Sequence, residues 1–449
     1  MHRILSCALS SLLIDRANGH RRRVMAAFRD RCVADSREQA ERESETNRRL
    51  AALLEHARGA VPHFRDCMTG MARADAGNAR QLLQRLGIMS RSEIQKAPER
   101  YLAQGTPSAA DDATGGSSGT PMRFKVDVET QIRRESSLMW ADSLAGWQPG
   151  ERIAMLWGSD RDVGGALMKW RSRLRNYVDN RAWFNAFDMG PDRMEKFHAE
   201  LERFDPHLLV AYAGSVHVYA RYLADRGIRP SYPKKAIVSS AEMLTPEMRA
   251  QIEAVFSARV FDRYGNREFG AIAAECNAHE GLHVNDPDCI LEIDSPKPTE
   301  IPGRLLVTYL ANRAMPFIRY DTGDLAVWMD AKATCTCGRR TRRIGRIAGR
   351  ESDTIRTSDG RLIHGEYFTH LLYGCRGVSE FRFIQEASDR YLLQVSGDES
   401  SVLEQAPAWR QEILHEVGAA AEVEVSYVEK IAPLASGKRK FTLSRVENR

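Results

Sequence analysis

The segment "DDATGGSSGTPMRF", residues 111–124, combines residue types that suit an anionic ligand. Glycine lets the backbone approach a ligand closely, and Thr and Ser add hydroxyl donors beside backbone amides, a mixture that fits phosphate oxygens. It is not the G-x-x-x-x-G-K-[ST] nucleotide loop, because Gly119 is followed by Thr120 and Pro121. From these residues alone, two interpretations stand: a phosphate cradle and a flexible Gly/Ser linker.

A second group of residues has the chemistry of a metal site. Its members lie in "ECNAHEGLH" and "CTCGR" and are Cys276, His279, His283, Cys335 and Cys337. Tetrahedral zinc takes four Cys or His ligands, so this set can supply Cys, His, Cys and Cys if a β-rich region brings them together. The pattern "GLHV" indicates the opening of a strand, which favours His283 over His279, whereas Cys289 is expected in the core. The alternative is a pair of buried thiols and a surface histidine.

The composition of the 449-residue chain excludes several classes of protein. With 65 basic and 60 acidic side chains, the excess of +5 does not demand a nucleic-acid partner, and the arginine clusters at 21–23 and 339–343 are expected to be solvated surface. No apolar run reaches the roughly 18 residues of a membrane span. The apolar stretch 4–14 is expected to pack as an N-terminal helix. Eight cysteines without regular spacing do not indicate a disulfide framework, and a cytoplasmic location is expected.

Hydrophobic periodicity predicts an α/β fold. Residues 37–104 have helical spacing, and beyond the Gly/Ser loop strand and helix patterns alternate, as in "HLLVAYAG" followed by "VHVYARYLADRG". Such alternation is typical of a parallel sheet covered by helices. Residues 282–328 indicate short strands with turns, a β-rich subdomain, and the last hundred residues indicate a small α+β unit. The predicted domains are therefore 1–349, large, and 350–449, small and mobile.

Four further motifs follow the Gly/Ser loop in a fixed order. They are "FDRYGNREFG" (261–270), "PFIRYDTGDLA" (316–326), "AGRESDTIRTSDGRLI" (348–363) and "PLASGKRKF" (433–441). With "TGGSSGTP" they resemble the ordered signature of adenylate-forming enzymes, the superfamily that includes acyl-CoA synthetases. Within it the chain resembles the phenylacetate-CoA ligase and CapK-like branch. The resemblance covers about residues 48–445 and favours the phosphate cradle over the linker.

The resemblance implies a nucleotide site assembled from all these motifs. Its phosphate contacts would be Thr114, Ser117, Ser118, Gly119 and Thr120. Its adenine, ribose and other nucleotide contacts would be Ser240, Ala241, Glu242, Tyr264, Gly265, Asp324 and Arg350. Tyr264 can present its ring to adenine, and Asp324 matches the acid that accepts hydrogen bonds from both ribose hydroxyls. A turn aspartate is the alternative for Asp324.

The catalytic assignments also come from the resemblance. Glu268 would hold a magnesium ion that bridges the phosphates, and the alternative is the start of a surface helix. Lys438 matches the lysine that swings in from the small domain to neutralise charge at the carboxylate and α-phosphate, although by itself it is one charge in a basic tail. Lys440 lies close by in the sequence, but the pair Gly437-Lys438 fits the family spacing better. Asp353 occupies the hinge position.

The chain departs from the family pattern in three places. Arg267 stands where most of the superfamily has Thr or Ser before the glutamate, so a hydroxyl contact to the nucleotide is missing or replaced. The hinge segment "TSDGRLIHGEYF" lacks the Arg-Gly-x-Asn-Val-Phe-Pro pattern of phenylacetate-CoA ligases and is more CapK-like, which leaves the thiol acceptor open. Finally, the Gly/Ser loop has no lysine after its threonine.

The expected function is ATP- and Mg²⁺-dependent activation of a carboxylic acid as an acyl-adenylate, followed by transfer to CoA. A carrier-protein thiol or an amine are the alternative acceptors. Trp157, Tyr212 and Phe261 could form an aromatic acyl pocket or be core residues. Relatives in this branch hold zinc, so Cys276, His283, Cys335 and Cys337 are expected to bind a structural Zn²⁺. A zinc-bearing nucleic-acid-binding protein and a catalytically degenerate relative are the competing hypotheses, and neither accounts for the ordered motifs with their retained polar residues.

Overall fold

A computed structural model describes most of the chain. The described residues are 19–105, 109–114, 122–157, 179–186, 189–330, 333–350, 354–359, 362–364, 366–372, 375–432 and 441–446. The predicted helix at 4–14 lies outside them. The chain forms two compact units. The large unit is Met1–Thr322 with Ala326–Ile347, and the small unit is Gly323–Leu325 with Ala348–Arg449.

The described elements are numbered in chain order. The helices are α1 (His20–Ala34), α2 (Gln39–Ala60), α3 (Pro62–Cys67), α4 (Ala79–Arg85), α5 (Arg91–Lys96), α6 (Val128–Leu144), α7 (Pro191–Phe204), α8 (Ala213–Asp225), α9 (Pro246–Phe256), α10 (Glu366–Leu372) and α11 (Glu399–Val417), with a 3₁₀ turn at Pro98–Tyr101. The strands of the large sheet are β3 (Ile153–Leu156), β4 (Arg181–Phe184), β5 (Leu208–Tyr212), β6 (Ala236–Ser240), β7 (Arg259–Asn266), β8 (Gly270–Glu275), β9 (Leu282–Val284), β10 (Cys289–Asp294), β11 (Gly303–Tyr309), β12 (Tyr320–Trp328) and β13 (Arg343–Arg350). The remaining strands are β1 (Ala110–Ala113), β2 (Arg123–Val126), β14 (Thr354–Arg356), β15 (Leu362–His364), β16 (Val378–Gln385), β17 (Arg390–Gly397), β18 (Glu422–Tyr427) and β19 (Thr442–Ser444).

The large sheet has a parallel half and an antiparallel half. Its order is β10-β11-β12-β13-β9-β8-β7-β6-β5-β3-β4. From β4 through β3, β5 and β6 to β7, neighbouring strands are parallel, whereas β7, β8, β9 and β13 pair antiparallel, as do β10 and β11. Because parallel strands end at one edge of a sheet, the segments that follow β3, β5 and β6 lie together, at the position where α/β proteins bind ligands.

Helices cover this sheet with their apolar sides. On α2 the residues at helical spacing, Leu50, Leu53, Leu54 and Ala57, are fully buried. Asp127 is the N-cap of helix α6. Its carboxylate accepts a hydrogen bond from the Thr130 amide at 2.7 Å, which fixes where the helix starts. The hairpin of β1 and β2 forms a separate two-stranded sheet.

The small unit has its own α/β core. Its sheet has the order β18-β17-β16-β19, with β16 and β17 antiparallel and the outer pairs parallel. Phe368 of α10 stacks on Phe383 of β16 with ring centroids 3.6 Å apart, and both rings are buried. Trp409 and Ile413 of α11 join the same core.

The α/β fold class predicted from the sequence is confirmed, including the helical start, the β-rich region after the parallel strands and the small C-terminal unit. Among the helices that the structure describes, none combines the length and apolar character needed to cross a membrane.

Candidate nucleotide site and metal cluster

The hairpin between β7 and β8 carries the predicted Tyr-Gly-x-x-Glu residues. Its turn is closed by Asn266, whose Oδ1 accepts a hydrogen bond from the Phe269 amide at 3.0 Å. A Cβ on Gly265 would lie 2.2 Å from the carbonyl oxygen of Gly270, and Gly270 itself has a φ of +78°. A Cβ on Gly270 would also meet the Oγ of Ser137, on α6, at 2.6 Å. The two glycines therefore let the hairpin close tightly and lie against α6.

Glu268 lies in this hairpin turn and is buried, with 6% of its surface exposed. The hydroxyl of Tyr320, at the start of β12, donates a hydrogen bond to its Oε1 at 3.4 Å. Burial raises the pKa of Tyr320, and the charge of Glu268 raises it further, so the phenol stays protonated at neutral pH. Glu268 is thus a buried carboxylate in a turn and not the start of a surface helix. Tyr264, on the same hairpin, packs partly buried against the core of the large unit.

The two ends of the Gly/Ser loop are joined at the tip of the β1–β2 hairpin. The amide of Thr114 donates to the carbonyl of Met122 at 2.9 Å, and the amide of Met122 donates back to Thr114 Oγ1 at 3.0 Å. Arg91 donates a further hydrogen bond to the same hydroxyl oxygen at 3.1 Å. A hydroxyl has two acceptor sites and one proton, so these two bonds occupy the acceptor sites of Thr114 and leave its O–H as a donor.

Arg91 reaches the loop because α5 is fixed beside β12. The helix starts with a capping box, in which Ser90 and Glu93 each bond the other's backbone amide. Met89 forms a parallel bridge with Tyr320, so the segment leading into α5 runs along the start of that strand. The S-x-x-E pattern predicts the helix start, but it gives no signal that the next residue contacts the loop. Arg91 is therefore a site residue that sequence reasoning misses.

The residues of "VSSAE" follow β6, at the carboxyl edge of the parallel strands. Ser240 donates its hydroxyl proton to the carbonyl of Arg263 at 2.8 Å. Ala241 has a φ of +67°, and the Glu242 carboxylate accepts a hydrogen bond from the amide of Gly214 at 2.8 Å. This amide lies in the first turn of α8, where the helix dipole favours a negative charge. Both side chains thus hold the segment in place.

Two predicted nucleotide contacts touch one another in the small unit. The Nε of Arg350 lies 3.1 Å from Oδ1 of Asp324, and both side chains are largely shielded from solvent. Asp324 belongs to β12, so it is a strand residue and not a turn aspartate. Six other predicted residues lie outside the described part of the chain. They are Ser117, Ser118, Gly119, Thr120, Asp353 and Lys438.

The aromatic residues near the strand ends fall into two environments. Trp157 follows β3 and lies against Tyr212, the last residue of β5, with ring centroids 4.2 Å apart and an interplanar angle of 32°. Phe261 lies in the middle of β7, where its ring contacts His279 at 4.7 Å. Trp157 and Tyr212 thus form a pair at the carboxyl edge of the sheet, and Phe261 is a core residue.

The cysteine and histidine motifs converge on one cluster. One ligand atom from each of Cys276, His283, Cys335 and Cys337 lies within 4.8 Å of all the others. The sulfurs of Cys276 and Cys335 are 3.6 Å apart, and Cys337 Sγ is 3.4 Å from His283 Nε2. Tetrahedral Zn–S bonds of about 2.3 Å place two sulfurs roughly 3.8 Å apart, so the spacing fits a zinc ion.

Strand pairing brings the four ligands together. Strand β9 pairs with β8 so that His283 lies opposite Ala274, close to Cys276 at the end of β8. Cys335 and Cys337 lie on a turn closed by the Gly338 amide, which donates to the Cys335 carbonyl at 3.0 Å. His279 is not part of the cluster: it lies 3.1 Å from the Glu275 carboxylate.

The pKa shifts of His283 and Cys337 suit metal ligands, whereas burial raises the pKa of the Cys335 thiol and raises that of Cys276 to about 12. The Nδ1 of His283 lies 2.8 Å from Thr341 Oγ1, an outer contact that orients Nε2 toward the thiols. Burial, together with the charges of nearby arginines, lowers the pKa of His283 to about 4, so the ring is neutral. Burial opposes ionisation of Cys337, but hydrogen bonds, led by that from the Arg339 amide, bring the pKa of its thiol below the ordinary value.

The arginine cluster at 339–343 is occupied by contacts within the protein. Its ion pairs join Arg339 to Asp35, Arg340 to Glu38 and Arg343 to Glu280. Arg342 lies over the ring of Trp328, with its guanidinium carbon 3.7 Å from the ring centroid. These arginines therefore link the region around the cluster to neighbouring parts of the protein.

Comparison with known proteins identifies relatives over most of the chain. Residues 355–445 match the family described as the CapK C-terminal domain. Protein CapK of Staphylococcus aureus is 23% identical over 374 residues, which cover 81% of each chain. The phenylacetate-coenzyme A ligase of Thermus thermophilus is 29% identical over 164 residues, which cover 34% of this chain and 36% of that enzyme.

The fold is also found among solved structures. The crystal structure of 2-hydroxyisobutyryl-CoA ligase in the postadenylation state, in complex with R3-HIB-AMP, superposes with a TM-score of 0.70 at 18% identity. The match covers 92% of this chain and 91% of that one. The resemblance to the adenylate-forming superfamily and to its CapK-like branch is thus confirmed.

Proposed function

We propose that the chain, which is similar to protein CapK and shares the fold of a solved acyl-CoA ligase, activates a carboxylic acid with ATP. A carboxylate oxygen attacks the α-phosphorus, the bond to pyrophosphate breaks, and an acyl-adenylate results. The acyl group then passes to a thiol, with CoA as the leading acceptor, and AMP leaves. The reaction needs no general base in its first step, because carboxylic acids are ionised at neutral pH.

One observation carries this proposal: a buried carboxylate lies next to the base of the Gly/Ser loop. The hydroxyl of Tyr320 contacts both Glu268 Oε1, at 3.4 Å, and the sulfur of Met122, at 3.9 Å, where the loop ends. A carboxylate at this position suits a magnesium ion that bridges the phosphates of ATP. Such an ion would neutralise phosphate charge when bound, and Glu268 would be its protein ligand.

The other residues have roles implied by the family. Tyr264 would present its ring to adenine, and Asp324 would accept hydrogen bonds from the ribose, with Arg350 beside it. Lys438 would neutralise charge at the reacting carboxylate and α-phosphate. The segment 240–242 would line the adenine pocket through its backbone, because the Ser240 and Glu242 side chains are already bonded within the protein.

The small unit would carry Lys438 in and out of the site. We propose that 1–349 and 350–449 behave as two domains that rotate about a hinge near Asp353 between the two half-reactions. Domain closure of this kind gates many enzymes. The Gly/Ser loop residues Ser117, Ser118, Gly119 and Thr120 would cradle the pyrophosphate, together with Thr114.

The paired rings of Trp157 and Tyr212 support an aryl acid as the substrate. They form an aromatic pair at the carboxyl edge of the parallel strands, and aromatic acids can stack on aromatic rings.

The acceptor of the acyl group is less constrained by the sequence, because the hinge segment is CapK-like. A carrier-protein thiol or an amine would then replace CoA in a biosynthetic pathway.

We propose that Cys276, His283, Cys335 and Cys337 bind a structural Zn²⁺. All four positions would be filled by the protein, so the ion would cross-link the end of β8 to β9 and to the Cys335–Cys337 turn without taking part in the reaction.

The test of the adenylation proposal is carboxylate-dependent ATP–pyrophosphate exchange by the full-length protein without CoA, across aryl, aliphatic and amino acids. We expect exchange with one class of acid, abolished in Lys438→Ala and Asp324→Ala. Lys430→Ala removes an exposed lysine from the same small unit and should leave exchange unchanged. Absence of exchange together with absence of ATP binding would contradict the proposal. Adding CoA, a phosphopantetheinylated carrier or an amine to the active mixture then identifies the acceptor by its acylated product.

A further inference from the structure

Arg319 lies immediately before β12, and its backbone has an unusual conformation. Its φ is +50°, a left-handed value that residues with a side chain rarely adopt and that persists only where the surrounding structure holds it. The next residue is Tyr320, the first of β12, whose hydroxyl bonds Glu268. The chain is therefore strained directly before the phenol that contacts the buried carboxylate.

The guanidinium of Arg319 is bonded on two sides. Its Nε lies 3.2 and 3.1 Å from the two carboxylate oxygens of Glu292, on β10, and its Nη2 lies 3.1 Å from Oε1 of the same residue. Its Nη1 donates to the carbonyl of Leu86, which directly follows α4, at 2.5 Å. The planar fork of arginine thus joins β10 and the end of α4 to the start of β12, which the single ammonium group of lysine cannot reproduce.

The backbone of Arg319 is also held on both sides. Its amide donates to Oγ1 of Thr308, a buried residue of β11, at 2.9 Å. Its carbonyl accepts a hydrogen bond from the Met89 amide at 3.0 Å, and the Met89 carbonyl accepts one from the Asp321 amide at 2.9 Å. The residues on either side of Tyr320 are thus tied to the same residue, so a displacement of Arg319 would carry Tyr320 with it.

The contact between Tyr320 and Glu268 leaves little room for such a displacement. The phenol oxygen lies 3.4 Å from Oε1 of Glu268, near the upper limit for a hydrogen bond. A shift of roughly 0.5 Å away from the carboxylate would break this bond. Only 3% of Tyr320 is exposed, so its ring has no open space in which to adopt another rotamer, and its position follows from that of its backbone.

We propose that Arg319, paired with Glu292, is a positioning residue for the candidate nucleotide site. It holds the backbone before Tyr320 in the left-handed conformation, so that the phenol meets the carboxylate assigned to magnesium. This inference rests on the proposed function, because it takes Glu268 as the ligand of that ion. Arg319 acts through Tyr320 and not by contact with the nucleotide.

The experiment is a double-variant cycle in the ATP–pyrophosphate exchange assay of the full-length protein, with Mg²⁺ titrated. Arg319→Lys keeps the charge but not the fork, and Glu292→Gln removes the charge of its partner. Each is measured alone and in combination with Tyr320→Phe. Arg304→Lys is the matched control, because Arg304 forms an ion pair with Asp294 across the same strands β10 and β11 at 2.6 Å. Thermal melting checks that each variant is folded.

We expect Arg319→Lys and Glu292→Gln each to lower exchange by about threefold to tenfold, the scale of one hydrogen bond. The Mg²⁺ concentration for half-maximal exchange should rise by a similar factor, because a less firmly oriented carboxylate binds the ion less tightly. In the Tyr320→Phe background the same changes should have no further effect, since the hydroxyl that they displace is already gone. Arg304→Lys should match the wild type.

Three results would overturn the inference and leave the adenylation proposal intact. They are losses that multiply in the double variants, an unchanged Mg²⁺ requirement, and a lower melting temperature with exchange at the wild-type rate, which would show that Arg319 serves stability alone. Wild-type protein with neither exchange nor ATP binding would overturn the adenylation proposal itself, and the role of Arg319 with it.

Discussion

Strand β8 begins two residues after Glu268 and ends one residue before Cys276, so one buried strand connects two different sites. At the Cys276 end, four ligand atoms lie within 4.8 Å of one another. At the Glu268 end, adjacent side chains diverge: the carboxylate turns inward to Tyr320, and Arg267 extends to the base of a loop. The first arrangement gathers its groups around one point, whereas the second directs a carboxylate and a guanidinium to different partners.

Under the proposed function, this difference separates a structural site from a reactive one. A closed ligand set lowers the free energy of the folded state when its metal binds, but it has no position left for a substrate. If the hairpin carboxylate serves the proposed reaction, its charge acts on a bound ligand and contributes less to folding than a filled metal site would. Changes at the cluster should therefore alter stability, and changes at the hairpin should alter activity.

The largest effect is expected from Cys335→Ser combined with Cys337→Ser. Removing two ligands should abolish stoichiometric zinc and lower the free energy of unfolding of the large unit by about 4 kcal/mol or more, since binding energy of a structural metal is folding energy. Elemental analysis of the purified protein measures the zinc content, and chemical denaturation measures the free energy of unfolding. Cys67→Ser, an exposed thiol outside the cluster, should change neither. Wild-type protein that lacks zinc when purified from zinc-containing medium would contradict the assignment.

The second-largest effect is expected from Glu268→Gln. Glutamine keeps the size of the side chain and an acceptor for Tyr320, so the melting temperature should stay close to the wild type. ATP–pyrophosphate exchange should fall by about 10²- to 10³-fold, because the charge that holds Mg²⁺ is gone. Glu300→Gln removes an exposed carboxylate from a surface turn and serves as the control. Exchange at the wild-type rate would show that this carboxylate is not the metal ligand.

The metal cluster could be predicted from the sequence because its residues are of the types that zinc binds and because His283 lies in a strand pattern. The segment "GLHV" indicates a strand, and a strand residue opposite the end of β8 is well placed to meet Cys276. The same pattern distinguishes His283, which the structure brings to the thiols, from His279, which pairs with Glu275. The α/β alternation is equally readable, since helix and strand periods differ.

The hairpin site could be predicted only through motifs. Glu268 is identified by Tyr-Gly-x-x-Glu, but nothing local in the sequence pairs it with Tyr320, because that contact depends on the order of strands in the sheet. Arg91 likewise reaches Thr114 only because Met89 bridges to β12. Contacts between elements far apart in sequence carry no periodic signal, so tertiary packing decides them.

Gly270→Ala should reduce both the stability of the protein and its activity. The residue has a φ of +78°, and an added Cβ would lie 3.0 Å from the Cα of Arg134 as well as close to Ser137. We expect a loss of about 2 to 3 kcal/mol in stability together with reduced exchange, because the hairpin must shift away from α6. Gly59→Ala, in α2, meets nothing within 4 Å and should be neutral or stabilising. Denaturation and exchange assays on both variants check this, and loss of exchange without loss of stability would be inconsistent with a packing role.

The smallest effect is expected from Tyr320→Phe, which tests whether the phenol only orients the carboxylate. It removes one hydrogen bond to Glu268 and leaves the ring in the core, so stability should fall by about 0.5 to 1.5 kcal/mol. Exchange should fall by roughly tenfold or less, far below the effect of Glu268→Gln. Tyr391→Phe removes a phenol that donates to the Ser388 carbonyl in the small unit, so it should cost similar stability with no change in exchange. If Tyr320→Phe instead equals Glu268→Gln in the exchange assay, the phenol itself contacts the reacting phosphates, and the hairpin carboxylate acts through it.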